Sequence, residues 1–175
     1  MLGIREPEIY GTRTYDDLVS FIREERGSRH EISFMQSNHE GEIIDAIHQA
    51  YFDGMDGIII NPAAYTHTSI AIMDALKSVP VKAVEVHISN PDEREEYRKI
   101  SYAGEACIKS IKGHGFAGYI EAIDYIEGDG PGGYFFTKRG QTWKSKNRRC
   151  YSLTWVASFF VQINESCISS ALTYI

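Results

Sequence analysis

A chain of 175 residues, 43% hydrophobic and 24% charged, is sized for one domain with an ordinary core, and no apolar run in it is long enough to cross a bilayer. Its net charge of −6 divides into −10 over residues 1–127 (12 Lys and Arg against 22 Asp and Glu) and +4 over residues 128–175 (6 against 2). An acidic body argues against nucleic-acid partners, whose phosphates are held by neutralising them, and the basic stretch KRGQTWKSKNRR reads as a solvated loop. No basic-then-apolar leader opens the chain. The three cysteines, Cys107, Cys150 and Cys167, are odd in number and lack metal-ligand spacing, so a reduced, cytoplasmic setting is expected.

In chain order, REPEIYG (5–11) has the Pro, Gly and charge of a loop. TYDDLVSFIREERG then predicts a helix, with Thr14 and Asp17 as a capping box, Leu18, Phe21 and Ile22 as the buried stripe, and Gly27 as the stop. A strand is predicted over 31–37, followed by a helix that Asn38 can cap, with Ile43, Ile44, Ile47, Ala50 and Tyr51 at helical spacing. GIIINP (57–62) suits a strand buried on both faces. A helix around SIAIMDALKS, a strand over 82–88, a charged segment, a strand over 105–111 and the helix GFAGYIEAIDYIEG complete this rhythm. Strands alternating with helices imply an α/β fold with a parallel sheet covered on both faces. From about residue 128 the rhythm stops; YSLTWVASFFVQI is one further strand candidate.

Parallel sheets bind ligands beyond the carboxyl ends of their strands. Asn61 and His67 follow one predicted strand end, and His87 and Ser89 lie at the next, so the four should converge on one crevice. Each taken singly could be a cap or a structural histidine. A metal would want a third ligand with HxxxH-like spacing, and none is present. No GxSxG elbow and no Gly-rich phosphate loop occurs. What remains is acid–base chemistry on a small polar anion, with Arg5, Arg94 and Arg98 available for a carboxylate.

The stretches REPEIYG, QSNHEGEIIDAIHQA, IIINPAAYTHTS, VEVHISN and REEYRKISY, in that order and spacing, resemble type II 3-dehydroquinate dehydratase over residues 1–127. The resemblance implies a flavodoxin-like three-layer fold and the dehydration of 3-dehydroquinate in the shikimate pathway, through an enolate, without cofactor or metal. It implies Tyr10 as the base, His87 as the acid and Arg5 as the cation on the same lid that stabilises the ionised tyrosine. It also implies that Asn61, His67, Ile88, Ser89 and Arg98 hold the substrate, Ile88 through its backbone amide. Asp74 would reach a neighbouring subunit's site in trimers that assemble into a dodecamer. One arginine suffices in principle: ionising a phenol near neutrality costs about 4 kcal/mol. A unit charge about 4 Å away returns roughly that much at an effective dielectric near 20.

The family opens with a strand and an NGPNLN motif, and this chain begins at MLGIREPE, beyond both. The first, central strand is therefore expected to be missing or replaced. Residues 128–175 form an atypical tail, expected to be disordered or an appendage, with a replacement strand through TWVASFFVQIN as the alternative. Ala63, where the family often has glycine, is expected to be tolerated at negative φ. Two rival readings are a catalytically impaired, truncated remnant that keeps the pocket or subunit contacts, and a flavodoxin-like flavin binder.

Overall fold

The computed structural model describes residues 1–128 and 159–165. After a one-turn helix α1 (Pro7–Tyr10) the order is α2 (Tyr15–Arg26), β1 (His30–Met35), α3 (Glu40–Phe52), β2 (Gly57–Asn61), α4 (Ile70–Ser78), β3 (Lys82–His87), β4 (Lys109–Lys112), α5 (Ala117–Glu127) and β5 (Phe159–Glu165). Thr14 and Asp17 form the predicted capping box at the start of α2, and Ser69 caps α4 through Ile72 N. His39 rather than Asn38 precedes α3, and no side chain caps it.

The sheet runs β1-β5-β2-β3-β4. β2 pairs with β3, and β3 with β4, in parallel, whereas β5 is antiparallel to both β1 and β2. A flavodoxin-like sheet of order 2-1-3-4-5 gives its central position to the first strand. Here β5 occupies that position and runs the other way. Phe159 is registered against Asn61 at the carboxyl end of β2, and Glu165 against His30 at the start of β1. Ile163 is 1% exposed, and its carbonyl accepts from Asp56 N at 3.1 Å. The basic stretch, Cys150 and Cys167 lie outside the described residues.

Alternation along β2 divides the core. Ile58 and Ile60 pack with Met35, Ile43, Ile47 and Ile72 beneath α3 and α4. Ile59 packs with Leu18, Ile22, Phe34, Val84 and Ile163 beneath α2 and α5. These two layers around one sheet explain why β2 is apolar up to Ile60, before Asn61 at its carboxyl end. Three details depart from the helical periodicity: Phe21 and Ile44 are half-buried and Tyr51 is exposed, because neighbouring residues on the same turns, Leu18 with Ile22 and Ala46 with Ala50, take the buried positions. The fourth strand starts at Lys109, later than its apolar run suggests, because Ala103–Ala106 form a 3-10 turn closed by Gly104 N donating to Ser101 Oγ at 2.8 Å.

Candidate active site

At the carboxyl ends of β2 and β3 lies a cavity of about 340 Å³, walled by the first ten residues, the turn after β2 and the segment after β3. Arg5, Tyr10, Asn61, His67, His87, Ile88, Ser89 and Arg98 all line it. Of the sequence-predicted residues only Asp74 does not, being exposed on α4.

The lid, residues 1–13, closes on itself. A Cβ at Gly3, where φ is +82°, would come within 2.8 Å of the Thr12 carbonyl oxygen, so the two ends of the loop meet there and glycine is required. Arg13 fastens this base to α5, its guanidinium 4.0 Å from the centre of the Phe116 ring. Within the lid the predicted loop contains the helical turn α1, whose proline is at a position that needs no N–H. That turn lifts Tyr10 over the cavity.

Arg94 is the residue whose role the sequence reading missed. Its Nη1 donates to the Tyr10 hydroxyl at 2.6 Å and its Nη2 to Glu6 Oε1 at 3.1 Å. Arg5 pairs with the other oxygen of Glu6 at 2.9 Å, and its guanidinium carbon lies 5.6 Å from the Tyr10 ring centre. Tyr10 is thus flanked by two cations and one carboxylate, and its hydroxyl contact is with Arg94. Eighty-four residues separate that pair, so only REEYRK, with its arginine near a strand end, carried any signal.

The remaining residues are held by their own neighbours. His67 donates from Nδ1 to the Ile100 carbonyl at 2.7 Å, which leaves Nε2 of the neutral ring as an acceptor. Arg98 is braced by Glu95 at 2.7 Å. Glu95 is drawn down to about 2 by its own backbone N–H, by Arg98 and by Tyr97, so this brace stays ionised throughout the pH range of an ordinary assay. Asn61 accepts from Ala63 N at 3.1 Å and donates to the Tyr119 hydroxyl at 3.3 Å. The Asn61 turn forces Ala63 to φ +48°, contrary to the expectation of a negative angle. The left-handed region costs an L-residue about 1–2 kcal/mol, partly offset by the entropy glycine would lose. Ala63 is exposed and loses no packing on truncation. Ala63→Gly should therefore stabilise the protein by about 0.5–1 kcal/mol, read as a higher urea midpoint at unchanged slope.

Behind the cavity, His87 Nε2 lies 3.2 Å from Glu85 Oε1, off the line of a good hydrogen bond. Glu85 is fully buried on β3. Burial pushes its carboxyl up, but the His87 contact and the hydroxyls of Ser101 and Ser110 outweigh that and hold it below the usual carboxylate value. The buried carboxylate faces one of the two ring nitrogens of His87 and leaves the other for the cavity that the ring lines. Among the described residues no three His, Cys, Asp or Glu side chains are placed to hold a metal ion, and no helix is long and apolar enough to cross a membrane.

An α/β sheet whose carboxyl ends frame a cavity with three arginines, two histidines and a tyrosine on a lid defines an acid–base enzyme for a small anion. The family model described as dehydroquinase class II matches residues 1–127, and the chain belongs to that family. It is 57% identical to a 3-dehydroquinate dehydratase of Clostridium acetobutylicum over 128 residues, which span 72% of this chain and 88% of that one. It is 52% identical to the enzyme of that name from Clostridium beijerinckii, over 73% of this chain and 88% of the relative. The crystal structure of a type II dehydroquinase from Butyrivibrio crossotus superposes with a TM-score of 0.70 at 55% identity, covering 72% of this chain and 88% of its own.

Proposed function

We propose that this chain dehydrates 3-dehydroquinate to 3-dehydroshikimate, as a carbon–oxygen lyase of the shikimate pathway. The observation that carries the reading is the pairing of Tyr10 with Arg94 across a cavity that also presents His87, whose ring backs onto Glu85. Tyr10, ionised, removes a proton from C2 and leaves an enolate. His87, protonated, delivers its proton to the C1 hydroxyl, the C–O bond breaks, and water departs as the C1–C2 double bond forms. Phenol and neutral imidazole then return to their starting states by exchange with solvent. Arg5 and Arg94 balance the phenolate and the enolate that succeeds it. Arg98 takes the substrate's carboxylate, and Asn61, His67, Ser89 and the Ile88 amide take its oxygens. Every step is proton transfer between these groups and the substrate, which calls for no cofactor.

The reading extends to assembly. Ile70 is 54% exposed and lies four residues before Asp74 on α4, so both share one face. A second copy covering Ile70 would carry Asp74 to its neighbour's cavity, in keeping with trimers that build a dodecamer in the cytoplasm. The test is direct: mixed with 3-dehydroquinate, the purified protein should raise the ultraviolet absorbance of the conjugated enone. No rise from a folded protein would overturn the reading and favour a remnant that keeps only the pocket.

A further inference from the structure

The carboxylate behind His87 is enclosed more completely than an ion pair requires. Ser101 donates to Glu85 Oε1 at 2.6 Å and Ser110 to Oε2 at 2.8 Å. Ser110 is the cross-strand partner of Glu85 in the β3–β4 register, so its hydroxyl is delivered by the sheet itself. Ser101 is fixed in turn by the amide of Gly104. A Cβ on Gly104 would fall 2.7 Å from Glu85 Oε2 and 2.8 Å from Ser101 Oγ, so the absence of a side chain there is what lets the turn close over the carboxylate. Oε1 is shared between Ser101 and His87, and neither oxygen meets water, since Glu85 is fully buried.

We propose that Ser101 and Ser110 are positioning residues of the reaction: their hydroxyls clamp the two oxygens of Glu85 and thereby set the orientation and proton affinity of His87. A carboxylate that shares its charge with two hydroxyl donors attracts the imidazolium less than a bare one. The clamp keeps Glu85 ionised beside Nε2 without stabilising the imidazolium so strongly that its other N–H, at Nδ1, cannot give its proton to the departing C1 hydroxyl. Other charges face the pair, among them Arg5, Arg94 and Arg98 in the cavity that His87 lines and Glu105 on the Gly104 turn, and they are the same in every variant compared below. Cys107 is pushed well up by burial and then by Glu85, and stays a thiol. On β4, Lys109 lies over the Tyr125 ring and Lys112 pairs with Asp92. On α4, which packs on the turn that carries Gly104, Asp74 and Lys77 are exposed.

This inference rests on His87 as the acid, and the experiment separates the two ideas. The ring resonances of His87 in the full chain are assigned by their loss in His87→Asn and titrated by NMR in wild type, Ser110→Ala, Ser101→Ala and Ser110→Thr. Each alanine should raise the His87 midpoint by about one pH unit, because the residual Glu85 charge is less shared, and threonine should restore it. The alkaline limb of the kcat profile should move the same way while KM is unchanged. A midpoint that stays within a few tenths of a unit in both alanine variants overturns the clamp, whatever happens to stability. Should the midpoint move in a protein that does not dehydrate 3-dehydroquinate, the clamp holds and the assignment of the reaction fails.

Discussion

Tyr10→Phe is expected to lower kcat by about 10³-fold, within the range that loss of a positioned general base produces. The more discriminating result is the ranking of the two arginines beside it. Arg94→Met should cost about 10²-fold in kcat/KM, because a charge-assisted hydrogen bond to a developing anion is worth up to about 3 kcal/mol and each 1.36 kcal/mol is a factor of ten. Arg5→Met should cost about tenfold or less. The Arg94 side chain is 16% exposed and bonds the Tyr10 hydroxyl at 2.6 Å, whereas the Arg5 side chain is 52% exposed and spends its Nε on Glu6. Solvent screening weakens the second charge far more than the first. Glu6, bonded to both, holds the two cations at a fixed spacing and offsets one of them. Steady-state kinetics on the three variants settles the order. A larger loss at Arg5 than at Arg94 would restore the reading in which the lid carries its own cation.

That reversal shows which parts of the site a sequence exposes. Asn61, His67, His87 and Ser89 sit within two short stretches at strand ends, and a parallel sheet brings such ends together whatever else the chain does. The capping box at Thr14 and the apolar run of β2 are likewise local, so the helices and strands around them were legible. Contacts that depend on where the lid comes to rest are not local. Arg94 to Tyr10 and Ser110 to Glu85 are set by the packing of whole elements, and the second was invisible because a serine in an apolar run reads as an ordinary strand residue. The left-handed Ala63 was missed for another reason: Asn61, bonding Ala63 N, pulls the turn to positive φ although alanine does not favour it. The same logic governed the fourth strand, whose apolar onset is consumed by the turn that wraps Glu85.

Ile163→Asp is expected to abolish cooperative folding. The side chain is 1% exposed in the layer formed by Leu18, Phe34, Ile59 and Val84. An unpaired carboxylate in such a place costs several kcal/mol, against a total stability of about 5–15 kcal/mol for a domain. Ile163→Ala, which leaves only a cavity, should cost about 2–5 kcal/mol, and Ile163→Val about 0.5–1.5. The series matters because, among the described residues, β5 lies between β1 and β2 and is the only strand that bonds to both. Without it each of those strands would present an unpaired edge in the middle of the sheet, where backbone groups have no water to turn to. Asn61, at the end of β2, would lose the register with Phe159 that fixes its height beneath the cavity. Damage at Ile163, far along β5 from that end, should therefore reach catalysis by way of the sheet. Urea unfolding of the three variants measures the first effect, and turnover by the valine and alanine variants the second. A protein in which Ile163→Asp unfolds at the wild-type midpoint has a sheet whose centre is filled by something other than residues 159–165.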